Sequence, residues 1–305
     1  MTAALVANEG SGNSDPARCA ETLARFGAEV RRVSVEELEI ALANERKDVS
    51  AADGNGASTA ERDGARAVAG VDRIVVAGGD GSIAPVAAVA GRAGLPLAVL
   101  PVGTANDFAR RLGLPDDLTA ACRLAVHGTV LRPLELGWMN GERPFVNVAS
   151  AGLPAPAAEH ARSWKDRLGP LAYAAGALRA GLTAKPLPCL VECGDVELLA
   201  GEAWQVTIAA SGAFGAGAVV EEADPGDGAL EVVAIEAGPR LGLVSLAYRL
   251  RRGRVTGHPR AFHLRCENAH VQTPSGTRFN VDGELVTAGE ARFTAVKDAF
   301  RLVVG

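Results

Sequence analysis

The stretch that most limits what this chain can become is Ile74, Val75, Val76 and Ala77, followed at once by "GGDGS", Gly78 to Ser82. Consecutive apolar residues of this kind predict a strand buried on both faces, as in parallel sheets. The glycines behind it let the backbone turn sharply and let a ligand approach the amides closely. A polar turn between strand and helix lies at the carboxyl edge of such a sheet, where α/β proteins bind ligands. Ser82 is the expected cap of the following helix, whose exposed N–H groups and positive dipole end favour a phosphate. Asp80 would repel phosphate unless a cation or a nucleoside hydroxyl intervened, so it suits a magnesium network or an orienting role. Taken alone, "GGDGS" is explained equally well as a tight turn with a solvated aspartate.

The surrounding residues tip that balance. Through residue 130, β-like runs ("ALVAN", "AEVRRVSV", "DRIVVA", "LAVLPV") alternate with helical stretches at Asp15 to Phe26, Val35 to Arg46 and Ile83 to Arg92. This alternation predicts a parallel sheet with covering helices. Behind "LAVL" comes "PVGTANDFA" (101 to 109), and behind the first strand "NEGSG" (Asn8 to Gly12), so three Gly-containing loops share one sheet edge. Thr104 and Asn106 offer a hydroxyl and an amide to phosphate or ribose, although Asn106 or Asp107 would serve equally as a helix cap. Three such loops at one edge favour nucleotide binding over coincidence. Residues 44 to 64, polar and rich in Gly, Ser and Asp, read as a solvated connection.

From Thr129 the pattern changes to β-like runs such as "VLRPLEL", "WQVTIAAS", "ALEVVAIEA" and "ARFTAVK", separated by turn residues. The 305 residues accommodate two domains: an α/β nucleotide-binding domain over 1–130 and a mostly antiparallel β domain over 131–305, whose last strand is free to return to the first. A helical stretch at 157 to 183, carrying Arg162, Lys165, Arg167 and Arg179, interrupts the β pattern. With 31 Lys and Arg against 36 Asp and Glu, the net charge of −5 argues against a nucleic-acid binder. No leader-like start and no run of eighteen apolar residues is present, so a soluble cytoplasmic protein is expected. The five cysteines are an odd number without CxxC spacing, which suggests buried or incidental thiols and neither a disulfide framework nor a zinc site. The histidines lack metal-ligand spacing, and no G-x-S-x-G hydrolase motif occurs.

Six pieces then fall in a familiar order: "NEGSG", "GGDGS", "PVGTANDFA", "LELG" (134 to 137), "ADPGDGALEV" (223 to 232) and "NVDGEL" (280 to 285), with "RLGPLAY" at 167 to 173. In them the chain resembles the diacylglycerol kinase catalytic-domain family, in particular its soluble bacterial lipid kinases, with sphingosine kinases as relatives. "PVGTANDFA" is the most specific piece, since NAD kinases share the GGDG idea without this combination and a late DGE. The resemblance implies an NAD kinase/diacylglycerol kinase-like α/β domain and a β-sandwich-like domain, with ATP and Mg2+ as cofactors. It also implies phosphoryl transfer to a lipid hydroxyl, as in phospholipid metabolism.

Carried over by position, Asp282 matches the family's general base and Glu284 its acidic neighbour. A placed carboxylate suits this chemistry because an alcohol is too weak an acid to ionise alone; such a base contributes roughly 10²-fold to 10⁴-fold in rate. Read blandly, "DGE" is an ordinary β-turn. Asn8, Ser11, Gly12, Gly78, Gly79, Asp80, Gly81, Ser82, Gly103, Thr104 and Asn106 match the nucleotide loops. Asp80 and Glu135 match the magnesium network, with Glu135 standing where the family usually has Asp. Asp224 and Asp227 match a structural metal site of some relatives; a turn without metal accounts for them nearly as well.

The departures are specific. Glu9 replaces a proline of the first loop, and Ala84 and Pro85 replace a polar Asn-Glu pair. "AGLPAPAA" (151 to 158, with Pro154) and "ASGAFGAG" (210 to 217) replace other family stretches. They keep open a kinase of a non-lipid or specialised hydroxyl, and a nucleotide-binding homologue with little catalysis. Expected partners are a lipid or other hydroxyl-bearing small molecule and a transient membrane-surface contact, with no nucleic acid and with a homodimer left open. For that surface, Trp164, Leu168, Leu171 and Tyr173 would meet acyl chains, and Arg162, Lys165 and Arg167 headgroups, unless the segment is an internally packed helix. The basic run at 249 to 260 reads as a solvated face or as a second attraction to anionic headgroups.

Overall fold

A computed structural model describes residues 1–7, 15–40, 70–153, 185–212, 223–240 and 258–305. The chain divides into two compact units, Met1–Leu136 with Lys297–Gly305, and Gly137–Val296.

In the first unit the strands β1 (Thr2–Ala7), β2 (Glu29–Arg32), β3 (Arg73–Gly78) and β4 (Leu97–Pro101) are parallel in the order β4-β3-β1-β2. The same unit carries the helices α1 (Pro16–Arg25), α2 (Asp80–Arg92), α3 (Asp107–Arg111) and α4 (Leu118–His127), and residues 35–40 are helical as well. Ile74 to Ala77 are fully buried, as an apolar run without alternation requires. Val75 and Ala77 share a cluster with Cys19 and Leu23 of α1 and Ala121 and Cys122 of α4. The alternate residues Ile74 and Val76 face the other way, where α2 packs on β3.

Local chemistry explains the helix ends. Asp15 caps α1 by accepting from the amides of Ala17 (3.0 Å) and Arg18 (3.1 Å), with Pro16 in the first turn. Asp117 does the same for α4 through Ala120 N (2.8 Å). The carboxyl end of α4 is held by Arg73, whose guanidinium donates to the carbonyls of Ala125 and, at 3.0 Å, Gly128. A cation at that end satisfies orphan carbonyls and opposes the negative dipole end.

The chain's last segment returns to this unit. Leu302, near the end of β13 (Glu284–Val303), pairs in parallel with Leu97, and the amides of Thr129 (2.7 Å) and Val130 (2.9 Å) donate to Gly305 O. Gly91 in α2 permits this approach, because a Cβ there would overlap the carbonyl oxygen of Ala299.

The second unit contains the end of β5 (Leu131–Met139), then β6 (Arg143–Phe145), β7 (Val148–Gly152), β8 (Leu187–Cys193), β9 (Val196–Ala209), β10 (Leu230–Glu236), β11 (Ala261–Cys266), β12 (Asn268–Val281) and most of β13. Its pairings are all antiparallel among the described residues, in the order β11-β10-β9-β7-β12-β13, with β8 against β9 and β12. The long strand β9 pairs with β8 along its first half and with β10 and β7 along its second. Alternate residues Val191, Val206, Ile208, Val232, Phe279 and Phe293 fill the main core, and Phe145 meets Phe293 edge to face at 6.2 Å. Val148, Trp204, Val233 and Ile235 form a second cluster. Among the described residues no helix is long and apolar enough to cross a membrane.

The cysteines correct one expectation. Cys193 and Cys266 form a disulfide across 73 residues, with Cα atoms 5.7 Å apart. Cys193 ends β8 opposite Ala269 of β12, and Cys266 lies two residues before β12 begins. Strand pairing therefore brings together thiols that sequence spacing does not connect. Cys19, Cys122 and Cys189 are buried thiols, as expected, and burial pushes Cys122 up to about 12 and Cys189 up to about 11.

Closing a loop of this size constrains the unfolded chain by about 4 kcal/mol in the chain-entropy model. Thermal unfolding in a thiol reductant is therefore expected to occur about 10 °C lower, and Cys266→Ser should unfold at the same temperature with or without reductant. Gly91→Ala tests the returning segment: helix propensity alone would stabilise by about 1 kcal/mol, whereas overlap with Ala299 O predicts a loss of about 1–3 kcal/mol in denaturant titration.

Candidate active site

The parallel pairing of Gly78 with Pro101 places the loops after β3 and β4 side by side. They touch backbone to backbone. A Cβ on Gly79 would lie 3.3 Å from Gly103 Cα, and one on Gly103 would overlap Gly79 Cα and lie 2.9 Å from Gly79 N. Gly103 has no room for a side chain, and at Gly79 one would fit only if its neighbour gave by a few tenths of an ångström.

Asp80 joins the loops from the other side of this contact. Its Oδ1 accepts from Phe108 N (2.9 Å) and its Oδ2 from Asp107 N (3.2 Å), so it caps α3 from the neighbouring loop. Asn106 occupies the N-cap position of α3 with φ 52° and makes no side-chain cap. Its Nδ2 instead donates to Pro101 O and Gly103 O, both at 3.0 Å, which folds the loop onto itself. The expectation that Asn106 or Asp107 caps this helix is thus corrected: the left-handed backbone turns the Asn106 amide inward, and Asp80 takes the donors.

Ser82 is corrected in the same way. The helix α2 already begins at Asp80 with Gly79 at its cap, so Ser82 lies within the first turn and no side chain caps the helix. Gly79 to Ser82 are partly buried and Thr104 is exposed at this edge. Glu135 is buried on β5, 2% exposed. Asn8, Ser11 and Gly12 lie outside the described residues, as do the 44–64 connection, Pro154 and the segment at 157 to 183.

In the second unit, Asp282 and Gly283 form the two-residue tip of the β12–β13 hairpin, with Val281 opposite Glu284. Their φ values of 46° and 93° are the double left-handed geometry that Asp-Gly favours. The tip is more than a turn. Asp282 Oδ2 accepts from Val146 N (2.7 Å), and Oδ1 from Asn147 N and Val148 N (both 3.0 Å), while Asp282 N donates to Val148 O (3.0 Å). The cradle is itself held, since buried Asn147 accepts through Oδ1 from Ser211 Oγ at 2.7 Å. Glu284 forms an ion pair with Arg143 beside the same turn.

Asp224 and Asp227 stand apart from Asp80 in sequence and in unit. Asp224 Oδ1 accepts from Gly226 N (3.2 Å) and Asp227 Oδ1 from Ala229 N (2.9 Å), while Asp227 Oδ2 pairs with Arg265. Among the described residues no three His, Cys, Asp or Glu side chains are grouped to hold a metal ion. Sequence reasoning did not find Arg143, Arg265 or the amides of 146–148. Arg143 sits three residues before "VNV" and carries no motif; only strand pairing reveals it.

Residues 2–138 match the diacylglycerol kinase catalytic domain, and residues 147–304 match the YegS C-terminal NAD kinase beta sandwich-like domain. A diacylglycerol kinase of Staphylococcus saprophyticus is 30% identical over 217 residues, covering 70% of each chain. The chain belongs to the diacylglycerol kinase family. A further member, a diacylglycerol kinase of Mycobacterium tuberculosis, is 29% identical over 244 residues and 77% of each chain. A solved structure of a diacylglycerol kinase from Bacillus anthracis superposes with a TM-score of 0.70 at 19% identity, covering 100% of this chain and 97% of that one, and so shares the fold.

Gly103→Ala is expected to break the loop contact. The overlap with Gly79 is backbone on backbone and cannot be relieved by a rotamer change. Stability should fall by about 1–3 kcal/mol in denaturant titration.

Proposed function

We propose that the protein is an ATP-dependent lipid kinase, transferring the γ-phosphoryl group to a hydroxyl of diacylglycerol or a similar lipid. The observation that carries this reading is the loop junction: two glycines in backbone contact, bridged by Asp80, beside a helix start that no side chain caps. Exposed first-turn amides and a positive dipole end suit a phosphate, and bare glycines let it come close.

Phosphoryl transfer depends mainly on alignment and on neutralising charge. Gly78, Gly79, Gly81, Ser82, Gly103, Thr104 and Asn106 are assigned to the nucleotide, together with Asn8, Ser11 and Gly12 of the first loop. Magnesium bound with ATP takes most of its ligands from phosphates and water and needs only one or two carboxylates. Asp80 fits that demand, because α3's amides fix its carboxylate at the loop junction. We assign Asp80 and Glu135 to the metal's shell, where the ion would offset charge on the transferred group.

Asp282 is assigned as the base that takes the acceptor hydroxyl's proton as the oxygen attacks phosphorus, with Glu284 beside it. The three amides aim the carboxylate, as the geometry of proton transfer requires. The same amides support a second reading, in which Asp282 is a structural tie and the protein binds nucleotide with little catalysis.

Asp282→Asn separates the two. An asparagine must point its NH2 at an amide donor, so about 1–3 kcal/mol of stability should be lost under either reading. If Asp282 is the base, kcat for [γ-32P]ATP and diacylglycerol vesicles should also fall by about 10²-fold to 10⁴-fold at temperatures where the variant stays folded. A kcat that falls only with the folded fraction would establish the structural role. Transfer by the unaltered protein to water-soluble alcohols but to no lipid would replace the lipid acceptor with a specialised hydroxyl.

A further inference from the structure

The resemblance implies a structural metal ion at Asp224 and Asp227, in the loop that leads into β10. The residues present do not fit one. Asp227 is divided between the loop's own backbone, through Ala229 N, and the guanidinium of Arg265. Asp224 is turned back on Gly226 N, and Asp227 N donates to Asp224 O at 3.3 Å. A hard divalent ion seeks six or more oxygens. Here it would meet a resident positive charge, and no three-membered ligand group occurs among the described residues.

We propose that Arg265 is the built-in cation of this loop, fulfilling the role of the divalent ion, so that the second unit folds without a structural metal. Arg265 is well placed because it stands directly opposite Glu231 in the β10–β11 pairing, and paired residues project from the same sheet face. Its Nε lies 3.8 Å from Glu231 Oε1 while its other end engages Asp227. One planar guanidinium, charged at every physiological pH, thus spans the last turn of the loop and the second residue of β10. Glu231 is only 3% exposed, and its other oxygen lies 2.5 Å from Nε2 of His263, two residues before Arg265 on β11. A carboxylate buried to that degree requires a cation nearby, and β11 supplies it from within the fold. Nothing in this arrangement depends on the acceptor or on catalysis.

The test is thermal unfolding of the full chain without nucleotide, in EDTA and in millimolar MgCl2, CaCl2 or MnCl2. The unaltered protein should have the same Tm in all of them. Arg265→Met should lower Tm in EDTA by several degrees, because it strips one partner from a buried carboxylate. Arg265→Lys, which keeps the charge but cannot fork between two carboxylates, should recover part of that loss and also decides the matter if the methionine variant does not fold. Arg265→Met combined with Asp227→Asn should cost less than the sum of the single changes. The proposal is overturned if the unaltered protein's Tm rises with a divalent ion and Asp227→Asn abolishes the rise. It is equally overturned if Arg265→Met and Arg265→Lys both leave Tm in EDTA unchanged.

Discussion

The close approach of Gly79 to Gly103 governs the polar edge of the first unit. Parallel pairing of β3 with β4 delivers two loops to the same place, and the bare glycines let them pack there. Once they touch, Asp80 is within hydrogen-bonding reach of the first amides of α3, and those amides gain a cap that their own loop does not provide. Hydrogen bonds to a charged group contribute about 1.5–3 kcal/mol, so the Asp80 carboxylate also holds the neighbouring helix in place. Stability and site geometry are coupled through one side chain.

The second unit repeats the device with another aspartate. There a hairpin tip presents the carboxylate of Asp282, and three successive amides of the segment between β6 and β7 receive it. The ion pair of Glu284 with Arg143 lies on the same turn but is far more exposed, with side chains 57% and 39% accessible. Exposed pairs contribute little to stability. The two acidic residues of "DGE" therefore differ in kind: one is fixed by backbone, the other remains open to solvent.

Much of this was legible in the residues. The apolar run before "GGDGS" predicts a doubly buried strand, and β3 is one; the change of pattern after Thr129 predicts antiparallel β structure, and β6 to β12 pair with their neighbours in that sense. The bland reading of "DGE" as a turn describes the backbone, since Asp282 and Gly283 form the hairpin tip. Ser82 is not the cap that its side-chain type suggests, because α2 begins two residues earlier, at Asp80, with Gly79 in the cap position. The disulfide was not legible because Cys193 and Cys266 meet only through the pairing of β8 with β12.

What the sequence by itself determined is what depends on neighbours along the chain: the alternation of strand and helix, the glycines that leave backbone bare, and the Asp-Gly tip with its left-handed turn. These follow from local sterics and from burial of apolar runs, which act over a few residues. Tertiary structure alone decided which partner each charged group takes: Asp80 the amides of α3, Asp282 those of 146–148, and Arg265 the pair Asp227 and Glu231. Such choices rest on sheet register, where a slip of one residue reverses every side chain. No local preference encodes that register, because it emerges only when distant strands compete to bury their apolar faces together.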